Sequence, residues 1–269
     1  MSSFQSRNVL ITGAGSGIGA GLARALAAEG ATVVLAGRRL EAVQQVADEI
    51  TASGGQAQAM QLDVGKIDTF ASFRQQLTER VGRLDILINN AGVVFGGEFE
   101  KVPLEKHLET YQTNIVGLMA LTHAFFEDLI ASTQGHLVNI ASASSFLGVP
   151  WGSTYASSKW AVLGFSESIR LELKERGYDQ VTVTSVCPSY ISTGMFDGVQ
   201  TPMLSPFLTT EKVVRATVKG MQKRQAFVQE PMIVKHLDLL KGTLPLTLWD
   251  TVTKTAGIST SMKSWRGKH

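Results

Sequence analysis

The sequence predicts an α/β fold: a single domain over residues 1–269, with a seven-stranded, doubly wound parallel sheet and helices on both faces. Short apolar runs alternate with amphipathic helical runs along most of the chain, which is the pattern of repeated βαβ units. The chain has 269 residues, 44% of them hydrophobic, so it can bury one sizeable core.

Seven apolar runs read as strands, and polar or glycine-rich residues follow several of them. The predicted strands are Val9 to Ile11, Thr32 to Ala36, Gln58 to Leu62, Leu84 to Ile88, Leu137 to Ala141, Val181 to Val186 and Ala226 to Gln229. Ligands of such sheets bind at the carboxyl ends of the strands, so we expect one cleft at that edge.

A glycine-rich loop follows the first strand and leads into a helical run that starts at Ala20. Glycines let the chain turn tightly and approach a pyrophosphate closely, and the N–H groups of the next helix favour its charge. The spacing departs from G-x-G-x-x-G, yet the order of strand, loop and helix indicates a dinucleotide site. The expected cradle residues are Thr12, Gly13, Gly15, Ser16, Gly17, Ile18 and Gly19.

Tyr155 and Lys159 are four positions apart and share one face of a predicted helix. A phenol has a pKa of about 10, and a neighbouring cation favours its ionised form. Lowering that pKa by three units takes about 4 kcal/mol. A unit charge roughly 4 Å away at an effective dielectric of ~20 supplies about that much. The pair is therefore predicted to move a proton, with Lys159 lowering the Tyr155 pKa.

Three further motifs accompany this pair: Asn89-Asn90-Ala91-Gly92 after the fourth strand, Asn114 in a helical run, and Ser142 close to the end of the fifth strand. The whole set, in order from Val9 to about Met195, resembles the short-chain dehydrogenase/reductase family. That family's hallmarks are a T-G-x-x-x-G-x-G loop, N-N-A-G, an Asn on a helix, a Ser and Y-x-x-x-K, and the resemblance implies a Rossmann-type fold.

The resemblance assigns each catalytic residue a role in hydride transfer between a nicotinamide and an alcohol or carbonyl. Tyr155 would exchange the proton and Ser142 would hydrogen-bond the substrate oxygen, with Ser144 and Ser145 as alternative hydroxyls. Lys159 would hold the nicotinamide ribose, and Asn114 would anchor a water that links Lys159 to solvent. Asn90, Ala91 and Gly92 would line the cofactor site, together with Tyr155 and Lys159.

The end of the second strand bears on cofactor choice. Gly37 stands where NAD-preferring members of the family usually carry Asp, and Arg38 and Arg39 follow it. An acidic residue would bind the ribose 2′-hydroxyl, whereas arginines at a helix start suit a 2′-phosphate. We therefore expect NADP(H) to be preferred over NAD(H), although both arginines could simply face water.

Other cofactor contacts follow from the resemblance. Asp63-Val64 is similar to the family's adenine-side pair, although Asp63 could instead cap the next helix. The segment starting at Pro188 resembles P-G-x-x-x-T, in which Ile191 and Thr193 would bind the carboxamide, with Ser189 replacing the usual glycine.

The predicted substrate is a hydrophobic alcohol or carbonyl: a retinoid, steroid, long-chain or aromatic compound. Residues of about 190–225 would form the substrate loop, and an apolar extension follows over about 231–269. The C-terminal part resembles the retinol, hydroxysteroid and fatty-alcohol dehydrogenase branch. A 3-ketoacyl or other polar-carbonyl reductase and a non-catalytic NADPH-binding regulator remain as alternatives. The apolar pocket would use Phe146, Leu147, Trp151, Thr193, Gly194, Met195 and Phe196.

Composition limits the partners. A formal net charge of +2 and the absence of a basic run with aromatics argue against nucleic acid. Cys187 is the only cysteine, and the sequence shows no secretory signal and no apolar run of about 18 residues, so we expect a cytoplasmic protein. The histidines lack metal-ligand spacing, so no metal site is predicted; they are His107, His123, His136, His236 and His269.

Two surfaces are expected to make contacts outside the domain. The family resemblance suggests a homodimer or homotetramer through the helices at residues 106–131 and 153–176. The segment from Met232 to Trp249 is unusually apolar and is expected to pack on the domain or at a subunit interface. Alternatively it could lie on a lipid surface, with Lys235, Lys241 and Lys254 as headgroup partners.

Overall fold

A parallel sheet of seven strands forms the centre of the protein, in the order β3-β2-β1-β4-β5-β6-β7. The structure is a computed structural model and describes residues 4–203 and 205–267. All seven predicted strands are present, with ends displaced by only one or two residues. They are β1 Asn8–Thr12, β2 Thr32–Gly37, β3 Gln56–Gln61, β4 Ile86–Asn89, β5 His136–Ile140, β6 Thr182–Pro188 and β7 Phe227–Glu230.

Helices cover both faces of this sheet because successive strand residues point to opposite sides. Val9 and Ile11 pack with α1, α2 and α7, whereas Leu10 packs with α3, α5 and α6 on the other face. The helices are α1 Gly17–Ala28, α2 Leu40–Ala52, α3 Phe70–Val81, α4 Leu104–Tyr111, α5 Gly117–Ala131, α6 Ser153–Glu175, α7 Thr210–Gln222, α8 Leu237–Thr243 and α9 Leu246–Thr255.

The strand order reverses at β1, which pairs with both β2 and β4. The loops after β1 and β4 therefore lead away from the sheet on opposite faces and leave a crevice between them, where doubly wound sheets bind ligands. The glycine-rich loop follows β1 and the Asn-Asn-Ala-Gly segment follows β4, so both motifs lie at this crevice.

Helices α4 and α5 are joined by a π-helical turn, Gln112–Val116, into one continuous helical stretch. This stretch, Leu104–Ala131, passes the length and composition test for a membrane span, with a mean hydropathy of 1.3 over 18 residues. The sequence had not indicated an apolar stretch of this length. Within that window 44% of the residues are buried inside the protein, and Leu121 and Phe125 are fully buried against the sheet. Packing in the core accounts for part of the apolar composition of this stretch, while Leu104, Leu108 and Met119 are exposed.

The C-terminal third divides differently from the prediction. The irregular loop after β6 ends at Thr209, whose hydroxyl accepts a hydrogen bond from the Lys212 backbone and caps α7. Helix α7 belongs to the core, since Val213 and Val218 pack on the same face of the sheet as α1. The irregular loop therefore ends at Thr209, because the residues that follow form α7, whose apolar side packs on the sheet.

Candidate active site

The glycine-rich loop is shaped by positions where only glycine fits. Gly13 and Gly17 have φ angles of +64° and +54°, which side chains rarely adopt. A Cβ at Gly19 would lie 2.5 Å from the Gly13 carbonyl oxygen and 2.6 Å from Asn90 Nδ2. The loop is therefore held close to the start of α1, and a larger residue at Gly19 would push them apart.

Two residues expected to touch a cofactor instead hold the two loops together. The Thr12 hydroxyl accepts hydrogen bonds from the backbone N–H groups of Asn90 and Ala91, each at 3.0 Å. The Asn90 amide in turn donates to the carbonyl oxygens of Thr12 at 2.8 Å and Gly13 at 3.1 Å. Neither side chain lines the cleft, because these bonds turn both towards the protein. They therefore fix the position of the glycine-rich loop from the side that faces away from the cleft.

A cleft of about 280 Å³ opens at the carboxyl ends of β1, β2 and β4. The Ser16 side chain makes no capping bond at the start of α1, which leaves that helix end open to an anion. Nine of the 19 predicted cofactor residues line it, together with Val93 and Thr113, which sequence reasoning missed. The predicted lining residues are Gly13, Gly15, Ser16, Arg38, Arg39, Asp63, Val64, Ala91 and Gly92.

The remaining predicted cofactor residues lie around the cleft and do not line it. Gly17, Ile18 and Gly19 form the first turn of α1, and Ile18 packs partly against the core. Ile191 pairs with Leu208 beyond β6, and the Pro188 ring ends that strand. A Cβ on Gly17 would come within 3.2 Å of Thr193 Cγ2, so Thr193 reaches the glycine-rich loop from across the crevice.

Arg38, Arg39 and Asp63 lie at the end of the cleft next to β2 and β3. Both arginines are exposed, and Arg38 Nη1 is 3.7 Å from Glu109 Oε1, a surface ion pair that contributes little stability. Asp63 Oδ1 accepts a hydrogen bond from the Gly65 backbone at 2.9 Å, which closes a tight turn. Asp63 does not cap α3, which starts after Thr69, so that alternative is wrong.

The predicted catalytic residues come together where β5 meets α6. Lys159 is buried, and its Nζ donates to the Ile140 carbonyl oxygen at 2.7 Å, two residues before Ser142. Tyr155 lies one turn earlier on α6, with its phenol beside the Ser142 side chain. Ser145 is excluded as the alternative hydroxyl because it donates to the Lys159 carbonyl at 2.7 Å.

Asn114 positions the edge of the cofactor cleft. Its amide nitrogen donates to the Val93 carbonyl at 2.9 Å and to the Ser158 hydroxyl at 3.0 Å, while Oδ1 accepts from the Val93 N–H at 2.8 Å. A Cβ on Gly92 would lie 3.3 Å from Asn114 Oδ1 and 3.6 Å from Lys159 Nζ. The absence of a side chain at Gly92 therefore leaves a small space between the amide and the ammonium.

Burial outweighs the predicted effect of Lys159 on the Tyr155 pKa. Burial raises the pKa of Tyr155 to about 12, and the hydrogen bond from Ser142 opposes this only in part. Burial also lowers the pKa of Lys159 to about 8. Lys159 Nζ lies 5.8 Å from the centre of the Tyr155 ring and is bonded to the strand, so desolvation outweighs attraction. The phenol is therefore fully protonated at neutral pH.

An apolar cavity of about 180 Å³ opens beside Ser142 and Tyr155. Leu147 and Phe196 line it as predicted, and the Phe196 ring packs edge-on at 5.9 Å from Tyr155. Phe146, Trp151 and Met195 belong to the surrounding apolar cluster but do not line the cavity, and neither do Thr193 and Gly194.

The C-terminal segment supplies much of the cavity wall. Its buried side chains pack on the protein's own domain, as one of the predicted alternatives had it; those lining the cavity include Val234, Leu237, Trp249 and Met262. Sequence reasoning did not identify these residues as part of the site. The apolar run was visible, but nothing in it indicated which side chains face Tyr155.

The last described residues hold the predicted substrate loop in place. The hydroxyls of Tyr190 and Ser261 are 2.7 Å apart, and Trp265 Nε1 donates to the Met195 carbonyl at 3.0 Å. A Cβ on Gly96 would come within 2.9 Å of the Trp265 ring, so this ring also packs on the loop after β4. The tail thus joins the two loops at the cavity.

No group of three or more His, Cys, Asp or Glu side chains within the described part of the chain could hold a metal ion. His136 is buried and bonded to Thr184, and burial lowers its pKa to about 3. His269 lies outside the described residues.

Comparison with known proteins matches this arrangement. The family model described as short chain dehydrogenase fits residues 7–203. Mouse epidermal retinol dehydrogenase 2 is 34% identical, over 97% of this chain and 85% of its own length. The ketoacyl reductase HetN of a Nostoc species is 33% identical, over 96% of this chain and 92% of its own length.

Among solved structures, a metagenomic short-chain oxidoreductase in complex with NADP is 31% identical, with a TM-score of 0.72. The likeness covers 85% of this chain and 96% of that one. Residues 7–203, which the family model matches, contain the glycine-rich loop, the Asn-Asn-Ala-Gly segment and the group of Ser142, Tyr155 and Lys159. With this geometry and these matches, the chain belongs to the short-chain dehydrogenase/reductase family and is an oxidoreductase.

Proposed function

We propose that the protein is an NADP(H)-dependent oxidoreductase that interconverts a hydrophobic alcohol and its carbonyl compound. The proposal rests on one observation: Tyr155 and Ser142 line an apolar cavity that lies beside the cofactor cleft. The buried phenol and the Ser142 hydroxyl are thus available to a carbonyl whose remaining atoms contact apolar side chains.

The residues of the cleft fit a nicotinamide dinucleotide. The uncapped start of α1 and the glycine-rich loop suit a pyrophosphate. A Cβ at Gly13 would lie 3.0 Å from the Ala91 Cα, so glycine allows this loop to lie close to the segment after β4. Such a cofactor supplies or accepts a hydride. Arg38 and Arg39 support a preference for the 2′-phosphate form, because no acidic residue lies at Gly37 to repel that phosphate.

The chain's own residues would handle the proton and the developing charge. In reduction, the Tyr155 hydroxyl donates its proton to the substrate oxygen, and a pKa of about 12 keeps that proton available at any physiological pH. Ser142 donates a hydrogen bond to the same oxygen as negative charge develops on it. The Lys159 ammonium, charged below pH about 8, stabilises the phenolate that is left.

The cavity wall supports the substrate class. Its lining is almost entirely aliphatic and aromatic, and its polar side chains are Ser142, Ser144, Tyr155, Ser189, Tyr190 and Ser205. Such a wall favours a retinoid, steroid, long-chain or aromatic compound, since apolar surface gains about 25 cal/mol per Å² on burial. The ketoacyl reductase among the relatives keeps a 3-ketoacyl substrate as the second candidate.

The test is cofactor oxidation with NADPH or NADH and a panel of retinoid, steroid, long-chain and aromatic carbonyls. We expect turnover that is faster with NADPH and falls by about 100- to 10,000-fold in Tyr155→Phe, because general acid catalysis is lost. NADPH binding should persist in that variant. Turnover of 3-ketoacyl substrates alone would replace the substrate class. NADPH binding without turnover of either set would favour a non-catalytic regulator.

We further propose that the protein forms homodimers or homotetramers through α4, α5 and α6. Large apolar side chains are exposed on these helices and are suited to a second copy of the chain. They include Leu104, Leu108, Tyr111, Met119 and Leu171. Light scattering after gel filtration should give a multiple of the chain mass that falls towards the monomer in Leu108→Glu. An unchanged mass would reject this surface.

The outer side of α8 and α9 supports a proposal of lipid contact. Met232, Leu239 and Leu246 are each about two-thirds or more exposed, and Lys235 and Lys254 lie on the same segment. We expect the protein to sediment with vesicles containing anionic lipid, and Leu239→Glu to reduce this. Leu108→Glu serves as the matched control, since it alters the other apolar surface. Equal binding by all three proteins would reject lipid contact through this segment.

A further inference from the structure

Ser144 differs from the other hydroxyl-bearing residues of the apolar cavity in its hydrogen bonding. Ser189 and Ser205 hydrogen-bond each other at 2.5 Å, Tyr190 bonds Ser261 at 2.7 Å, and Ser142 Oγ accepts from the Ser144 N–H at 3.1 Å. Ser144 also lines the cavity, yet its Oγ has no hydrogen-bond partner among residues 4–203 and 205–267. It is the unpaired hydroxyl of this wall.

Ser144 is only 7% exposed, so its hydroxyl is buried at a cost unless something in the cavity bonds it. An alanine would avoid that cost, because the hydroxyl makes no bond within the described protein. Its other polar groups are used for structure: the Ser144 N–H donates to Ser142 Oγ at 3.1 Å. A buried hydroxyl without a hydrogen-bond partner, in a cavity wall of mainly apolar residues, indicates that an atom of the ligand forms a hydrogen bond with it.

The position of Ser144 limits where that ligand atom lies. Ser142 and Ser144 belong to one short turn after β5, and the hydrogen bond from the Ser144 N–H to Ser142 Oγ fixes their spacing. Ser142 and Tyr155 would hold the reacting oxygen under the proposed function. A second oxygen that reaches Ser144 must therefore be attached within a few bonds of the reacting carbon.

Building on the proposed function, we propose that Ser144 binds a second oxygen of the substrate and selects carbonyl compounds oxygenated at a neighbouring carbon. The class comprises 1,2-diketones, α-hydroxyketones and 2-oxoesters with an apolar remainder. The hydroxyl donates to a second carbonyl or accepts from a second hydroxyl, and it orients the substrate without entering the proton transfer. Ser144 is thus a positioning and specificity residue.

The experiment compares two aryl ketones that differ by one oxygen, 1-phenylpropane-1,2-dione and propiophenone, with wild type and Ser144→Ala. We expect kcat/KM for the dione to fall about three- to tenfold in Ser144→Ala, the worth of one neutral hydrogen bond. The value for propiophenone should change less than twofold. The ratio between enzymes cancels the greater intrinsic reactivity of the dione.

Two controls separate a substrate contact from a structural role. Ser145→Ala removes the adjacent hydroxyl, which faces Lys159 and not the cavity, so any loss it causes should be equal for both ketones. The melting temperature of Ser144→Ala should be unchanged or higher, since no protein hydrogen bond is lost. Equal losses for both ketones in Ser144→Ala, or no loss for either, would overturn the proposal.

Failure of the proposed function would look different. If wild type reduced neither ketone, the proposed activity on this class would fail. The same comparison would then use the dissociation constants of both ketones for the NADPH-loaded protein, measured by calorimetry. A selective weakening of the dione in Ser144→Ala would still support the contact, and equal binding would reject it.

Discussion

The glycine-rich cleft and the apolar cavity are adjacent but are built in different ways. The cleft consists mainly of backbone and glycine, fixed by a few hydrogen bonds such as those between Thr12 and Asn90. The cavity consists of apolar side chains from segments far apart in sequence, including Leu147, Phe196 and Trp249. The first depends on exact backbone positions, whereas the second depends on volume.

This difference predicts separate sensitivities. A change of one atom should matter in the cleft, because backbone cannot move aside. In the cavity, substitutions of similar volume should be tolerated, and only large losses of volume should matter. Binding of NADPH and binding of an apolar alcohol should therefore respond to different variants.

The largest effect should come from Trp249→Ala. Trp249 is buried on α9 and lines the cavity, and removing such a side chain costs about 3–5 kcal/mol of stability. Denaturant unfolding should show this loss, and affinity for a fluorescent long-chain alcohol should fall more than tenfold. NADPH affinity of the folded protein should stay within twofold. Leu246→Ala, on the exposed side of the same helix, is the control and should change neither affinity.

Gly19→Ala should have the opposite pattern. The new Cβ would meet the Gly13 carbonyl oxygen at 2.5 Å, and overpacking of this kind costs about 1–3 kcal/mol. We expect NADPH affinity, measured by fluorescence titration, to fall roughly ten- to hundredfold while binding of the alcohol persists. In Gly21→Ala the Cβ meets only the end of the Val214 side chain, at 2.7 Å, so the loss should be smaller. Equal losses in both variants would contradict the role given to the loop backbone.

Arg39→Ala tests a side-chain contact within the cleft. A hydrogen bond to a charged group contributes about 1.5–3 kcal/mol, so NADPH affinity should fall about tenfold or more while NADH affinity stays within twofold. Arg38→Ala should behave similarly and also lose its surface pair with Glu109. Arg80→Ala, at the end of α3, is the charge-matched control. Parallel losses for both cofactors would mean that the arginines do not read the 2′-phosphate.

The smallest effect concerns pH. Burial lowers the Lys159 pKa to about 8, so the ammonium is present below that pH and is lost as pH rises. Carbonyl reduction should slow by about fourfold in kcat/KM between pH 7 and pH 8.5. Tyr155, with a pKa of about 12, keeps its proton throughout this range.

Stability should move the other way with pH. The folded Lys159 pKa lies below its ordinary value of 10.5, so the unfolded chain binds more protons between about pH 8 and 10.5, and stability rises across that window.

Lys159→Arg tests the pH dependence of the rate. This variant should abolish the decline in kcat/KM for carbonyl reduction between pH 7 and pH 8.5, because a guanidinium does not titrate there. A decline that persists in this variant would assign it to another group.

The sequence predicted the sheet and most of the cleft because their signals are local. Seven apolar runs and the glycine spacing each lie within a few residues of the structure they determine. The hydrogen bond between Thr12 and Asn90 was not predicted, since a bond between residues 78 positions apart leaves no local pattern.

The Tyr155 pKa and the cavity wall were beyond prediction for a related reason. Desolvation depends on how much protein surrounds the phenol, and the spacing of Tyr155 and Lys159 carries no information on depth. Trp249 and Met262 were visible as apolar residues, but their contact with the site depends on how α8 and α9 fold back.

The bonds from Trp265 to Met195 and from Ser261 to Tyr190 have a consequence for biosynthesis. The glycine-rich loop, β4 and β5 leave the ribosome long before Trp265, so the cofactor half can assemble first. Until the segment with Ser261 and Trp265 has been synthesised, Phe196 and the apolar side chains around Tyr155 are exposed and can bind chaperones or aggregate. Newly made chains should therefore acquire the ability to bind dinucleotide before they acquire a closed substrate cavity.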